Sequence, residues 1–252
     1  MDKKSPVIKN IVDAFRLLDI INESGSSGVS ELAERLEIPK TTVFRIIKTL
    51  EYSRVLKQLD NDTYTLDYRL AGYANSVFKD NQLTDMATPY MEELCQSFSE
   101  TVNLGILYEE QVVIIKSVEG DFYQLQAALV PVSPLYCSGM GKLFLCDYTD
   151  EELVEYFKNR KRRTVNTVTS VAEFKKQAQE IKATGLSIDA EEYEYGLTCF
   201  AVPIVNQSGE IICAISISGP TNRLDYKGVD TIKKQLMVQA RRLENDLSII
   251  MG

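Results

Sequence analysis

Lys40, Arg45, Lys48, Arg54 and Lys57 fall within residues 40–57, a stretch that holds one acid, Glu51. Five cations against one anion give a local charge of +4 in a chain whose net charge is −8. Over residues 1–75 the charges balance, 11 basic and 11 acidic, so the excess is confined to a short segment. Lys40, Thr41, Thr42, Arg45 and Lys48 lie away from the apolar stripe Val43, Ile46, Ile47 and Leu50 of a predicted helix. Such a face could read DNA. Lysines neutralise phosphates, hydroxyls at the helix start reach phosphates or base edges, and Arg45, one turn on, could take a guanine edge with two hydrogen bonds. Lys57, on the strand that follows, would meet backbone phosphates. A solvated helix, or a module that binds other proteins, would present the same residues.

Three other strings carry groups that could hold or transform a small molecule. Ser138-Gly139-Met140-Gly141-Lys142 invites comparison with a phosphate loop, but that motif needs Ser or Thr after the lysine and Leu143 stands there. A Gly-rich turn into a helix still offers backbone N–H groups to an anion, although a plain tight turn is the simpler account of the string alone. Asp189, Glu191 and Glu192 precede Gly196 and Cys199 in IDAEEYEYGLTC. Paired carboxylates suit acid–base work or a hard cation; with no evident lysine or histidine partner, a solvated loop is the simpler account of the two glutamates. Ser216 and Ser218, two apart on a predicted strand, aim their hydroxyls to one face and Ile215 and Ile217 to the other. The polar face is either solvated, the simpler account, or lines a cavity as hydrogen-bond donors. Ser76-Val77-Phe78-Lys79 matches SxxK without its companion motifs and is read as chance.

Composition removes whole classes of chemistry. The 252 residues include no histidine, so histidine-activated nucleophiles, histidine-ligated metals and imidazole acid–base catalysis are excluded. The five cysteines (Cys95, Cys137, Cys146, Cys199, Cys213) are odd in number and never spaced CxxC, which suits free thiols in a reducing cytosol. No metal and no cofactor is implied. The polar start MDKKSPVIKN shows no signal-peptide pattern, and no apolar run approaches the ~18 residues of a membrane span, so a cytoplasmic protein is expected.

The elements that must position these residues follow from periodicity. Ile8, Ile11, Phe15, Leu18 and Ile21 predict a helix over 5–23, stopped by Ser24-Gly25-Ser26-Ser27-Gly28, a run unsuited to helix or strand. Ser30 caps a short helix over 31–36; Pro39 opens another over 40–52. Strands over 55–59 and 63–66 flank the turn Asp60-Asn61-Asp62. Two short helices, a tight turn and a hairpin spell a winged helix-turn-helix. Residues 69–98 read as helical, with Pro89 at or near a second start. Beyond them come strands over 102–108, 112–118, 125–128, 186–190, 198–205 and 211–218, and helices over 150–159, 171–183 and 226–249. The order predicts an α+β domain on a mainly antiparallel sheet.

Taken together the chain resembles the IclR (isocitrate lyase regulator) family of bacterial transcription factors. The resemblance rests on VSELAERLEIPKTTVFRIIKTL from Val29, on SGMGK from Ser138, on DAEEYEYGLTCFAVPI from Asp189 and on AISISGP from Ala214. It implies a winged helix-turn-helix over 1–68, a linker helix over 69–83 and a GAF-like effector-binding domain over 84–252. It implies pairing through the N-terminal domains into dimers or tetramers, a palindromic DNA operator, and control by a small metabolite such as a carboxylate or aromatic acid. By that resemblance the metabolite is held at Gly139, Met140, Asp189, Cys199, Ser216 and Ser218. Met140 and Leu143 are larger than the residues of many relatives, and Tyr136, Tyr193 and Tyr195 could line or narrow the pocket. A repressor is the expected function and no enzymatic activity is expected. The alternatives are a winged-helix interaction protein without DNA binding, or an enzyme that uses the C-terminal pocket.

Overall fold

Helices and strands form where the apolar spacing demands them, in two compact units that divide at Lys79/Asp80. The computed structural model describes residues 6–77, 82–121 and 132–251. Among these, no helix is long and apolar enough to cross a membrane.

The first unit runs α1 (Lys9–Ser24), β1 (Ser27–Gly28), α2 (Val29–Leu36), α3 (Lys40–Tyr52), β2 (Leu56–Gln58), β3 (Thr63–Leu66) and α4 (Arg69–Val77). Leu17, Ile21, Leu32, Val43, Ile47 and Leu56 close its core. Glu37 ends α2 in the left-handed region (φ 56°), and its N–H returns to the carbonyls of Ala33 and Glu34. Pro39 then starts α3 with φ already at −59°. These two residues make the tight turn that sets α3 against α2.

Three details differ from the sequence reading. Ser27 and Gly28, expected in a loop, form β1 and pair with Tyr64 and Thr63, giving a three-stranded wing in the order β1-β3-β2. Because Gly28 is extended there (φ −90°, ψ 163°), it and not Ser30 precedes α2. The apolar residues of α1 divide between two faces: Leu17, Ile20 and Ile21 are buried, whereas Ile8, Ile11, Val12 and Phe15 are exposed.

The second unit contains α5 (Gln82–Phe98), β4 (Thr101–Tyr108), β5 (Gln111–Val118), β6 (Val132–Pro134), α6 (Gly139–Leu145), α7 (Asp150–Phe157) and α8 (Val171–Thr184). It continues with β7 (Ser187–Ala190), β8 (Leu197–Val205), β9 (Ile211–Pro220), α9 (Thr221–Lys227) and α10 (Val229–Met251). The strands form one sheet in the order β6-β5-β4-β9-β8-β7, every described pairing antiparallel. Helix α10 packs on α5 and the sheet, and α6 packs on β7, β8 and β9. Pro89 lies inside α5; the Thr88 hydroxyl bonds the Thr84 carbonyl one turn back (2.6 Å), close to the turn the proline disturbs. The expected last helix is two helices broken at Gly228 (φ 89°). The expected strand over 125–128 lies outside the described residues.

One ion network ties the two ends of this unit's chain together. Glu100, buried between α5 and β4, accepts from Arg223 Nε and Nη2 (2.5 Å each) and from Lys227 Nζ (2.6 Å), both on α9. A Cβ at Gly219 would overlap the Glu100 carboxylate, so a side chain there would have to push the carboxylate off its ion pairs. Glu100→Gln, which leaves two cations facing a neutral amide, is expected to lower the unfolding free energy by about 3 kcal/mol in denaturant titrations. A loss below about 1 kcal/mol would mean that solvent and their remaining contacts, the Phe98 carbonyl on Lys227 among them, already compensate the two cations.

Candidate functional site

In the first unit the buried stripe of α3 (Val43, Ile46, Ile47) turns the rest of the helix outward. Lys40, Thr41 and Arg45 are exposed, Thr42 is half-buried, and neither Lys40 nor Arg45 has an ion pair or side-chain hydrogen bond among the described residues. Lys48 is different: its ammonium bonds Glu51 (2.7 Å) and Gln58 (3.4 Å) and lies 5.3 Å from the Tyr64 ring centroid, so it tethers α3 to the wing. Lys57 projects from β2 with its ammonium 4.9 Å from the Tyr68 ring centroid. Thus α3 and the wing carry the six residues singled out from the sequence on one unit, with Arg45 and Lys40 uncommitted and Lys48 engaged. Phe44, which the pattern analysis passed over, is also exposed.

In the second unit the strand register builds a polar row. Thr101 on β4 pairs with Ser218 on β9, Ser218 with Cys199 on β8, and Cys199 with Asp189 on β7. Ser216 lies two residues along β9, opposite Asn103 and Ala201. All of these except Ala201 line a cavity whose lining also includes Gly139, Met140 and Tyr193. The six expected residues therefore converge on one space. Tyr195 is exposed, and the Tyr136 hydroxyl is spent on the Lys161 carbonyl (2.8 Å), so of the three tyrosines named only Tyr193 reaches the lining.

The turn at residues 138–141 is a helix start. Ser138 caps α6, its Oγ accepting from Gly141 N (3.1 Å) and donating to Pro134 O (2.7 Å). A Cβ at Gly141 would strike the Leu135 backbone and the Ser138 hydroxyl, which is why glycine stands there. The Gly139 and Met140 amides, in the first turn of α6, have no acceptor within the helix.

A buried charge network contradicts the expectation of a solvated position for Glu192, while Glu191 stays half-buried and accepts from the exposed Gly196 amide (3.0 Å). Lys142 is 1% exposed and Glu192 2%. The Lys142 ammonium bonds Glu192 Oε1, Gln177 Oε1 (2.9 Å) and the Ile188 carbonyl (2.5 Å). Glu192 Oε1 also accepts from Gln177 Nε2 (3.1 Å). Asp189, 2% exposed, accepts on Oδ1 from the amides of Glu192 (2.7 Å) and Tyr193 (3.2 Å), which folds the acidic turn back over its own strand. Burial pushes the Asp189 carboxyl up to about 7, against the pull of Lys142 and of the Glu192 amide. The lysine partner was in the sequence all along: a lysine followed by Leu143, Phe144 and Leu145 continues an apolar run and so enters the core with its helix.

Ser216 is wholly buried, and its Oγ makes no hydrogen bond among the described residues, although Cys199 lies near it. Ser218 Oγ donates to Cys199 Sγ (3.1 Å). Burial raises the thiols of Cys199 to about 11 and Cys137 to about 12, so both are neutral and poor nucleophiles. The cavity offers hydroxyls, a carboxyl and amides: groups that bind.

Known proteins share both units. A family profile described as bacterial transcriptional regulator IclR C-terminal matches residues 75–245, and one described as IclR helix-turn-helix domain matches residues 12–60. The HTH-type transcriptional regulator KdgR of Escherichia coli is 28% identical over 251 residues, covering 96% of this chain and 94% of that protein. The HTH-type transcriptional repressor AllR of Salmonella typhimurium is 31% identical over 205 residues, covering 79% and 75%. Among solved structures, an IclR homologue from Microbacterium hydrocarbonoxydans complexed with 4-hydroxybenzoate superposes with a TM-score of 0.70 at 22% identity, covering 94% of this chain and 98% of that one. With profiles on both units and relatives that are transcriptional regulators, the chain belongs to the IclR family of bacterial helix-turn-helix transcriptional regulators.

Proposed function

We propose that the protein is a ligand-responsive repressor that binds a palindromic operator as a dimer or tetramer and is controlled by a small organic acid in the cavity of its second unit. The exposed cationic face of α3 carries this reading: Arg45 and Lys40 are uncommitted cations opposite the helix's buried stripe, beside the Thr41 hydroxyl. Arg45 reads a base edge, Thr41 and Thr42 contact phosphates or bases at the helix start, and Lys40, Lys48 and Lys57 meet the backbone. Pairing is supported by the exposed Ile11, Val12 and Phe15 of α1 and Ile8 just before it, whose burial against a second copy would remove apolar surface from water. Two-fold pairing matches a palindrome. Repression is supported by the relative AllR, which bears that name.

For the effector, the bound 4-hydroxybenzoate of the structural neighbour supports a carboxylate. The Gly139 and Met140 amides and the hydroxyls of Ser216 and Ser218 are suited to its oxygens. Cys199 lies beside them, its Sγ accepting from Ser218, and an ionised Asp189 in the same lining would repel a carboxylate and favour a hydroxyl. An effector that favours one arrangement of the oligomer shifts operator affinity by no more than its differential affinity for the two arrangements.

Two outcomes are expected. On a duplex selected by the wild-type protein, Arg45→Ala weakens binding by about 1–3 kcal/mol, roughly 5- to 150-fold, and loses far less on unrelated DNA. An equal loss on both would reduce Arg45 to a phosphate contact. The second outcome concerns pH. An acid held at about 7 in the fold, against about 4 unfolded, binds more protons folded than unfolded between those values, so its contribution to stability falls as pH rises through that window. Asp189→Asn should therefore gain stability relative to wild type from pH 5 to pH 8 in denaturant titrations. A wild type that gains on the variant over that range would contradict the assignment.

A further inference from the structure

Phe44 is 49% exposed on a helix whose aliphatic residues Val43, Ile46 and Ile47 are buried. It lies off the buried stripe, between the buried Val43 and the exposed Arg45, on the cationic side of α3. It stands one turn from both Lys40 and Lys48, on the face of α3 that enters a groove if the helix reads DNA. The Lys48 ammonium lies 5.8 Å from the ring centroid and is itself anchored to Glu51 and Gln58. Phe44 shares a surface groove with Arg45, Thr49 and Tyr52.

Two facts select the occupant. Residues 40–57 carry five cations and one acid, so the groove is complementary to a polyanion and repels a second copy of itself. A phenyl ring offers no conventional hydrogen bond, and among the groups that base pairs display in the major groove the thymine 5-methyl is apolar. We propose that Phe44 is a specificity residue that packs against a thymine methyl group in each half-site, next to the base contacted by Arg45. The assignment rests on the DNA-binding reading above and adds to it a base identity that the polar residues do not supply.

Uracil differs from thymine in a duplex by that methyl alone. The test remakes the duplex selected by the wild-type protein with uracil in place of each thymine in turn, at matching positions of the two half-sites, and measures affinity. One such exchange is expected to weaken wild-type binding about three- to tenfold, the scale of one methyl buried against a ring. Phe44→Ala is expected to bind the thymine and uracil duplexes alike, and Phe44→Leu to retain part of the preference. Because Phe44 lies outside the core, both variants should melt with the wild type; if the alanine variant does not, the leucine variant and the wild-type uracil series carry the comparison. Equal wild-type affinity for every uracil duplex, or a preference that survives in Phe44→Ala, overturns the assignment and leaves DNA binding standing. Failure to select any duplex overturns both.

Discussion

A buried ammonium needs an opposite charge and hydrogen-bond acceptors around it, and Lys142 imposes that need on the second unit. Its partners come from three places: Gln177 on α8, the Ile188 carbonyl on β7 and Glu192 in the turn that follows. Meeting them fixes α6 against the sheet edge and draws the acidic turn inward. The same turn donates the Glu192 and Tyr193 amides to Asp189, so the carboxyl at the cavity is held by the residues that satisfy the lysine. Removing one partner would leave a charge stranded in the core, and the loss would appear at the cavity as well as in stability.

The cavity follows from this arrangement and from the antiparallel register. With Asp189, Cys199, Ser218 and Thr101 in one row across four strands, polar groups meet where a sheet face would ordinarily bury apolar ones. Among the described residues the wholly buried Ser216 hydroxyl has no hydrogen bond within reach except at the neighbouring Cys199 thiol, a weak partner, so a ligand oxygen that met it would be favoured. In the first unit the division is simpler: the stripe of Val43, Ile46 and Ile47 fixes the rotation of α3, and the rotation decides which cations face outward.

Much of this was legible in the residues. The three-to-four spacing of α3 located it to the residue, because its apolar stripe is strong and Pro39 and Ser53 bound it. Alternation found β4, β5, β8 and β9, and the spacing of Ser216 and Ser218 put both on one face. Other features depend on partners far along the chain. Gly28 and Ser27 become a strand because Tyr64 and Thr63 lie beside them, and local composition gives no hint of that. Glu192 looks solvated until Lys142, fifty positions earlier, is placed against it. Phe44 escaped notice because an aromatic residue beside an apolar stripe reads as part of it; only the helix's rotation shows it outside.

The proposed function requires that occupation of the Asp189–Ser216 cavity change the hold of α3 on DNA. Its most direct measurement is operator occupancy of the purified protein, titrated with a panel of small organic acids that includes 4-hydroxybenzoate, for the wild type and for the Ser216→Ala/Ser218→Ala double variant. At least one acid is expected to shift wild-type occupancy while the double variant binds the operator normally and ignores that acid. An acid that shifts both proteins equally, or a panel that binds in the cavity by calorimetry yet leaves occupancy unchanged, would contradict it.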